Sequence, residues 1–257
     1  MTTTLTHSRL LVGRSLRTLS RQPAYLLFTL VQPMVWLLLF GQLFRRVADL
    51  PGFGAASYLT YLTPGVVVMT AMMSAGWSGT AIVQDMQRGV MDRTLTSPVR
   101  RSALVGASLS YQGLVTVAQA LIMFGTGLVA GARYGSFRGV AVVLACAVLV
   151  AVIFAGLSDA VALLVHEQEA LIAVSQFLVL PLVFLSSVMI APALMPDWVA
   201  RAARFNPVDW AAVASREALG ADPDWGAVSG RMAMLAALAA VMAWLATRAY
   251  RRYQRSV

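Results

Sequence analysis

Six stretches of this chain carry at most one charged residue each and are long enough to cross a lipid bilayer. They cover residues 24–44, 58–83, 102–132, 139–165, 170–191 and 228–247. A spanning helix needs about 20 mostly apolar residues, and only Asp159 and Arg231 intrude on these runs. Arg231 is close enough to the end of its run to snorkel to the interface. The chain is 12% charged and 59% hydrophobic, whereas a soluble domain is about 25% charged. Its 257 residues therefore predict one all-α integral membrane domain, residues 1–257, with six transmembrane helices. The first run starts late and is too long for a cleavable signal peptide.

Six spans put both termini on one side, and the arginines suggest which. With cytoplasmic termini the inner group is Arg9, Arg14, Arg17, Arg21, Arg88, Arg93, Arg100, Arg101, Arg248, Arg251, Arg252 and Arg255. The outer group is smaller: Arg45, Arg46, Arg133, Arg138, Arg201, Arg204, Arg216 and Arg231. The positive-inside rule then predicts a multi-pass protein of the plasma (inner) membrane with its N- and C-termini cytoplasmic.

All 20 basic residues are Arg. Without lysine there is no P-loop and no Schiff-base chemistry, so the chain is not expected to hydrolyse ATP. Cys146 is the single cysteine, and the two histidines, His7 and His166, lie far apart. That is a poor inventory for a metal site, and none is expected. No nucleic-acid partner is expected either.

Residues 5–20 precede the first span. Leu5, Val12, Leu16 and Leu19 fall on one side of a helix, with Arg14, Arg17 and Arg21 opposite. This predicts an interfacial amphipathic helix on membrane lipid. Whether its basic face only anchors to anionic lipid or also meets a cytoplasmic partner stays open.

Between spans two and three the chain reads DMQRGVMDRTLTSPVRRSAL. On a helix, Asp85, Arg88 and Asp92 share a face, and Arg88 can pair with either acid. Met86 and Val90 form one apolar stripe and Met91 with Leu95 another. A helix over 85–96 is predicted, too short for a domain and too apolar for free solution. Ser97 is a good N-cap and Pro98 a preferred first helical residue, so the chain breaks there and restarts into span three. A plain positive-inside loop and a helix docked into another protein both fit.

The stretch resembles the loop of ATP-binding-cassette (ABC) exporter permeases of the type-two, drug-resistance group. The matching positions are Asp85, Arg88, Gly89, Asp92, Leu95, Ser97, Pro98 and Arg101. This chain has Asp where Glu is usual and Thr94 where an apolar residue is common. The resemblance implies that 85–96 is a coupling helix seated in an ATPase subunit, with Arg93 in the same segment.

Past the fifth span lies APALMPDWVARAARFNPVDWAAVASREALGADPDW. Pro196 can open a short helix, and Asn206-Pro207 can cap and open a second that Gly220 ends. Trp198, Phe205, Trp210 and Trp225 suit a membrane–water interface. The pattern Pro181 to Ser187, then Pro196-Asp197-Trp198 and Asn206-Pro207, extends the same resemblance. It implies that helices over 196–219 re-enter the membrane and that Pro196, Trp198, Asn206, Pro207 and Trp210 line an outer gate. A solvated loop with interfacial anchors is the alternative on composition.

Inside the spans, Asp159 stands out. An intramembrane acid is a functional candidate by default, but so near the inner surface it can instead pair with Arg100 or Arg101. Gln112, Gln119 and Gln176 either line a path or hydrogen-bond between helices.

The resemblance implies the membrane subunit of an ATP-driven exporter working by alternating access. Its partners would be two copies of an ABC ATPase, which bind the ATP and Mg, and a second permease copy, in a homodimer. The substrate would be amphipathic or hydrophobic: a drug, an antibiotic or a lipid-like molecule. A secondary transporter or channel acting alone is the alternative, resting only on Asp159.

Overall fold

The computed structural model describes residues 23–49, 57–91 and 101–256, and these are helical almost throughout, with no strand among them. In chain order the elements are α1 (Pro23–Leu43), a 3-10 turn (Arg45–Asp49), α2 (Tyr58–Gly76), α3 (Gly79–Gln87) and α4 (Arg101–Val129). Then come α5 (Phe137–Val165), α6 (Gln168–Phe184), a 3-10 turn (Pro192–Leu194), α7 (Asp197–Ala203), α8 (Pro207–Leu219) and α9 (Trp225–Ser256). The interfacial helix expected at 5–20 lies outside the described residues.

Four stretches are long and apolar enough to cross a membrane: Tyr58–Gln87, Ala103–Val129, Phe137–Val165 and Trp225–Tyr253. Thr29–Leu43 and Gln168–Phe184 are apolar but shorter. Side-chain caps set several starts. Ser57 accepts from the Thr60 amide at 3.1 Å and Ser136 from the Gly139 amide at 2.9 Å, each satisfying an orphan first-turn donor.

The helix α5 is the hub, packed against α9, α2, α8, α4 and α3. Its inward positions are largely small: Cys146, Ala147, Ala151, Ala155, Gly156 and Ala162 are all buried. Small residues let backbones approach closely where lipid supplies no hydrophobic drive between helices. Large apolar side chains instead point outward on α1 (Val31, Val35, Leu39), α6 (Phe177, Leu180, Phe184) and α9 (Val241, Trp244). That inversion suits an apolar solvent.

Two expected boundaries change. The fifth run, expected to span 170–191, stays helical only to Phe184. The backbone leaves the helix there because side chains from other helices take over its carbonyls. The continuous helix expected over 85–96 is interrupted. Asp85 belongs to the last turn of α3, and the Arg88 and Gly89 amides close the turn on Gln84 and Met86 carbonyls. Gly89 takes φ 65°, the left-handed conformation in which glycine commonly ends a helix. Helix resumes at Val90 and Met91; residues 92–100 lie outside the described part.

Span two is itself broken, between α2 and α3 at Trp77 and Ser78. Beside the break, a Cβ on Gly79 would meet the Ser158 carbonyl oxygen at 2.5 Å. Gly79→Ala should therefore destabilise the fold by about 1–3 kcal/mol through overpacking. Gly230→Ala, at a site with open space around it, should stabilise slightly or change nothing. Thermal unfolding of the two variants in detergent checks the contrast.

Candidate functional site

Two polar clusters pin irregular backbone to the bundle, one at each end of α2. The first grips the α2/α3 break. Asp159 on α5 is fully buried. One of its carboxylate oxygens accepts from the Ser78 hydroxyl at 2.7 Å, and the other from the Ser108 hydroxyl on α4 at 2.8 Å. Next to it, the Ser158 hydroxyl donates to the Gly76 carbonyl at 2.7 Å and accepts from the Gly79 amide at 3.1 Å. Ser175 on α6 donates to the same Gly76 carbonyl at 3.1 Å. Two helices, α5 and α6, thus satisfy backbone groups at the break, as irregular backbone at membrane depth requires, and α4 joins them through Ser108 on Asp159.

Among the described residues these two hydroxyls are the partners of Asp159. Arg100 and the side chain of Arg101 lie outside the described residues.

The second cluster holds the segment that comes after α6. The Tyr61 hydroxyl donates to the Ser187 carbonyl at 2.9 Å, Arg216 Nη2 to the Val188 carbonyl at 2.8 Å and the Tyr58 hydroxyl to the Met189 carbonyl at 2.9 Å. Three successive carbonyls are each met by a side chain. The Ser187 amide in turn donates to Asp209 Oδ1 at 2.7 Å. Arg216 also donates from Nη1 to the Ser187 hydroxyl at 3.1 Å and from Nε to the Tyr61 carbonyl at 3.1 Å. Its guanidinium carbon lies 3.7 Å from the Tyr61 ring centroid, close enough for a cation–π contact. Enclosure pulls its pKa below the ordinary arginine value, while Tyr61, Asp209 and Tyr58 oppose that pull.

Gly65 makes the crossing possible, since a Cβ there would meet the Val188 carbonyl oxygen at 2.6 Å and Arg216 Nη2 at 2.8 Å. Asn206 completes the cluster from the other side. Its Nδ2 donates to the Leu182 and Leu185 carbonyls at 2.7 and 2.8 Å. Its Oδ1 accepts from the Val208 amide at 2.9 Å. One side chain therefore caps the C-terminus of α6 and the N-terminus of α8 together.

The other predicted site residues are more scattered. Asp85 and Arg88 are exposed at the end of α3, with Gly89 in the turn; Asp92, Arg93, Leu95, Ser97 and Pro98 lie outside the described residues. Pro196 precedes α7, Trp198 is 62% exposed, and Pro207 is the first residue of α8. Trp210 Nε1 donates to the Arg204 carbonyl at 2.7 Å. Of the predicted outer residues only Asn206 enters the cluster. Sequence reasoning missed Arg216, Tyr58, Tyr61 and Asp209. The available signal was an arginine on the alanine-rich face of a short helix (Ala211, Ala212, Ser215). Gln112 donates to Ser74 at 3.1 Å and Gln119 to Thr29 at 3.4 Å, both interhelical contacts, while Gln176 is exposed. Among the described residues no three His, Cys, Asp or Glu side chains gather as a metal site needs.

Long apolar helices around a small-residue hub, with irregular backbone held at both ends by side chains, define a multi-pass membrane protein. The chain belongs to the ABC-2 type transporter family, whose sequence profile matches residues 6–219. It is 32% identical over 255 residues to the daunorubicin resistance ABC transporter permease protein DrrB1 of Streptomyces coeruleorubidus, covering 96% of this chain and 86% of that one. It is also 28% identical to the putative transport permease ycf38 of Cyanophora paradoxa, over 78% of this chain and 69% of that one. The ycf38 protein of Porphyra purpurea matches at the same 28% identity, over the same shares. The chain is a transport permease subunit, and its family implies an ABC ATPase partner in general.

Asn206→Asp keeps the cap on Val208 but removes both donors to α6, whereas Asn206→Ala removes all three bonds. Each should lower stability by about 1–3 kcal/mol, aspartate at least as much as alanine, because its carboxylate would face two carbonyl oxygens. Denaturation in mixed micelles measures both. At the other cluster, Asp159→Ala strands the Ser108 hydroxyl and leaves Ser78 its longer bond to the Ala155 carbonyl at 3.3 Å, and should cost about 2 kcal/mol. Asp159→Asn should stay close to the parent, because a serine hydroxyl can rotate to accept from the amide. Equal losses for the two Asp159 variants would show that charge, not hydrogen bonding, holds the break.

Proposed function

We propose that this chain is the membrane half of an ATP-driven exporter that moves an amphipathic or hydrophobic molecule, a drug, an antibiotic or a lipid-like compound, out of the cytoplasm or inner leaflet. The observation that carries the proposal is the 32% identity over nearly the whole chain to a permease named for daunorubicin resistance. In this reading α1 and α6 join the four longer stretches as spans, making six, with both termini cytoplasmic in the plasma membrane. Two permease copies pair as a homodimer on two ATPase copies, which hold ATP and Mg.

Force enters through the segment from Asp85 to Pro98. ATP closes the ATPase pair, the residues around Asp92 and Leu95 are pushed, and α3 carries the push into the bundle. Asp159 acts here as a positioning residue. Its bonds to Ser78 and Ser108 tie α3 to α4 and α5, so these helices move together. At the outer end the Arg216 cluster keeps the 185–191 segment seated on α2 while the spans rearrange. Pro196, Trp198 and Trp210 then lie along the outer mouth, beside the backbone that Asn206 and Pro207 hold.

The test is copurification with the ATPase and measurement of substrate-stimulated ATP turnover. Asp92→Ala and Leu95→Ala should each weaken assembly or lower stimulated turnover several-fold. Parent-like assembly and turnover in both variants would remove the coupling role. Transport that persists without any ATPase would instead identify a secondary transporter or channel.

A further inference from the structure

Threonines in the helices of this bundle turn their hydroxyls back onto their own backbone. Thr63, Thr70, Thr126 and Thr247 donate to the carbonyls of Leu59, Val66, Ile122 and Ala243, all at 2.8–2.9 Å. That bond is the ordinary resource of a helical threonine. Thr116 of α4 does otherwise. It is 1% exposed, and its hydroxyl has no partner within hydrogen-bonding distance, its own helix included. Three residues on, Gln119 is also 1% exposed. Its Nε2 donates to the Thr29 hydroxyl on α1 at 3.4 Å, and its Oε1 has no partner. Exchanging the two ends of that amide would put its NH2 in the same place, so one polar end stays bare in either orientation.

Residues three apart are neighbours on a helix surface, so the two bare groups lie side by side. Gln112, one turn before Thr116, shares their stripe and donates to Ser74 of α2 at 3.1 Å. Farther along, a Cβ on Gly127 would lie 3.1 Å from the Thr63 hydroxyl oxygen. The two helices are therefore antiparallel along this seam, and Thr70, one turn from Ser74, falls opposite Thr116. The Thr70 hydrogen is engaged with Val66, which leaves its oxygen able to accept. Three polar groups thus face one stretch of the seam, and none is bonded to another. A bridging group there must be small, must accept from a hydroxyl and must donate to an amide oxygen. Water meets all three conditions, and a buried water is held by two to four such partners.

We infer that an ordered water molecule sits in the seam between α2 and α4, accepting from the Thr116 hydroxyl and donating to Gln119 Oε1 and the Thr70 oxygen. It fills the gap in a polar ladder along α4, whose other rungs are Ser108 on Asp159, Gln112 on Ser74 and Gln119 on Thr29. The ladder ties α4 to α5, α2 and α1 in turn. A bridging water can turn to new partners, so α2 and α4 can shift past each other here without baring a polar group. That consequence rests on the exporter reading; the water does not.

X-ray hydroxyl-radical footprinting of the full-length chain in detergent tests the water without an ATPase or a transport assay. Radicals made from a bound water attack its neighbours even where bulk solvent does not reach. Met123 is the reporter: it is fully buried, one turn beyond Gln119, and its thioether is readily oxidised. The parent chain should show oxidation at Met123, and Thr116→Val and Gln119→Leu, singly and together, should lower it several-fold. An unoxidised Met123 in the parent would overturn the inference, as would unchanged oxidation in the double variant. Thermal unfolding gives a second readout. Thr116→Val should lower Tm, because the water loses a partner. A Tm at or above that of the parent would mean that a methyl group replaces the hydroxyl at no loss, as at a dry site, and would also overturn it. Transport loss in a variant that keeps Met123 oxidation would count against the exporter reading alone.

Discussion

A backbone that leaves the helix inside a packed bundle must find a donor for the carbonyls it buries, since an unpaired buried carbonyl costs as much as a lost hydrogen bond. The segment after Phe184 meets that demand with Tyr61, Arg216 and Tyr58 on three consecutive carbonyls. Each donor comes from α2 or α8, so the requirement also fixes how those helices sit. Arg216 is a half-buried cation that those acceptors, the Tyr61 ring and the nearby Asp209 hold in place. Gly65 must lack a side chain for the segment to pass. Asn206, by serving α6 and α8 at once, makes the end of one helix and the start of the next a single unit.

The α2/α3 break obeys the same constraint by another route. Its freed groups are small in number, and serines with one carboxylate suffice: Ser158 and Ser175 on Gly76, Asp159 on Ser78 and Ser108. Hydroxyls are forgiving partners because they rotate to donate or accept. This cluster can therefore keep its bonds through a modest rearrangement, whereas the guanidinium fork at the other end accepts one geometry. The bundle thus has a compliant joint at one end of α2 and a stiff one at the other. That asymmetry is what an element receiving force at one end and holding a boundary at the other would require.

Much of the architecture was legible before any coordinates. Long apolar runs announced helices, and Asn206-Pro207 and Gly220 marked both ends of α8. The family pattern was legible through DMQRGVMDRTLTSPVRRSAL, and the whole-chain match now supports it. The features that escaped were of a different kind. Arg216 looked like one outer arginine among several, and Tyr58 and Tyr61 passed as part of an apolar run, because the carbonyls those two tyrosines meet are more than 120 residues away in sequence. Gly89 was visible as a glycine, but its left-handed turn depends on the path the chain takes from Asp85 to Met91.

By itself the sequence determined the class and the solvent: apolar runs of bilayer length leave a chain little choice but helix in lipid, because backbone desolvation without internal hydrogen bonds costs too much. Only the tertiary structure decided where those helices stop. The fifth run stays uncharged past Phe184, and locally only Ser186 turns its hydroxyl back to the Val183 carbonyl. The carbonyls beyond it are received by donors on α2 and α8, and such donors come together only when the bundle is assembled.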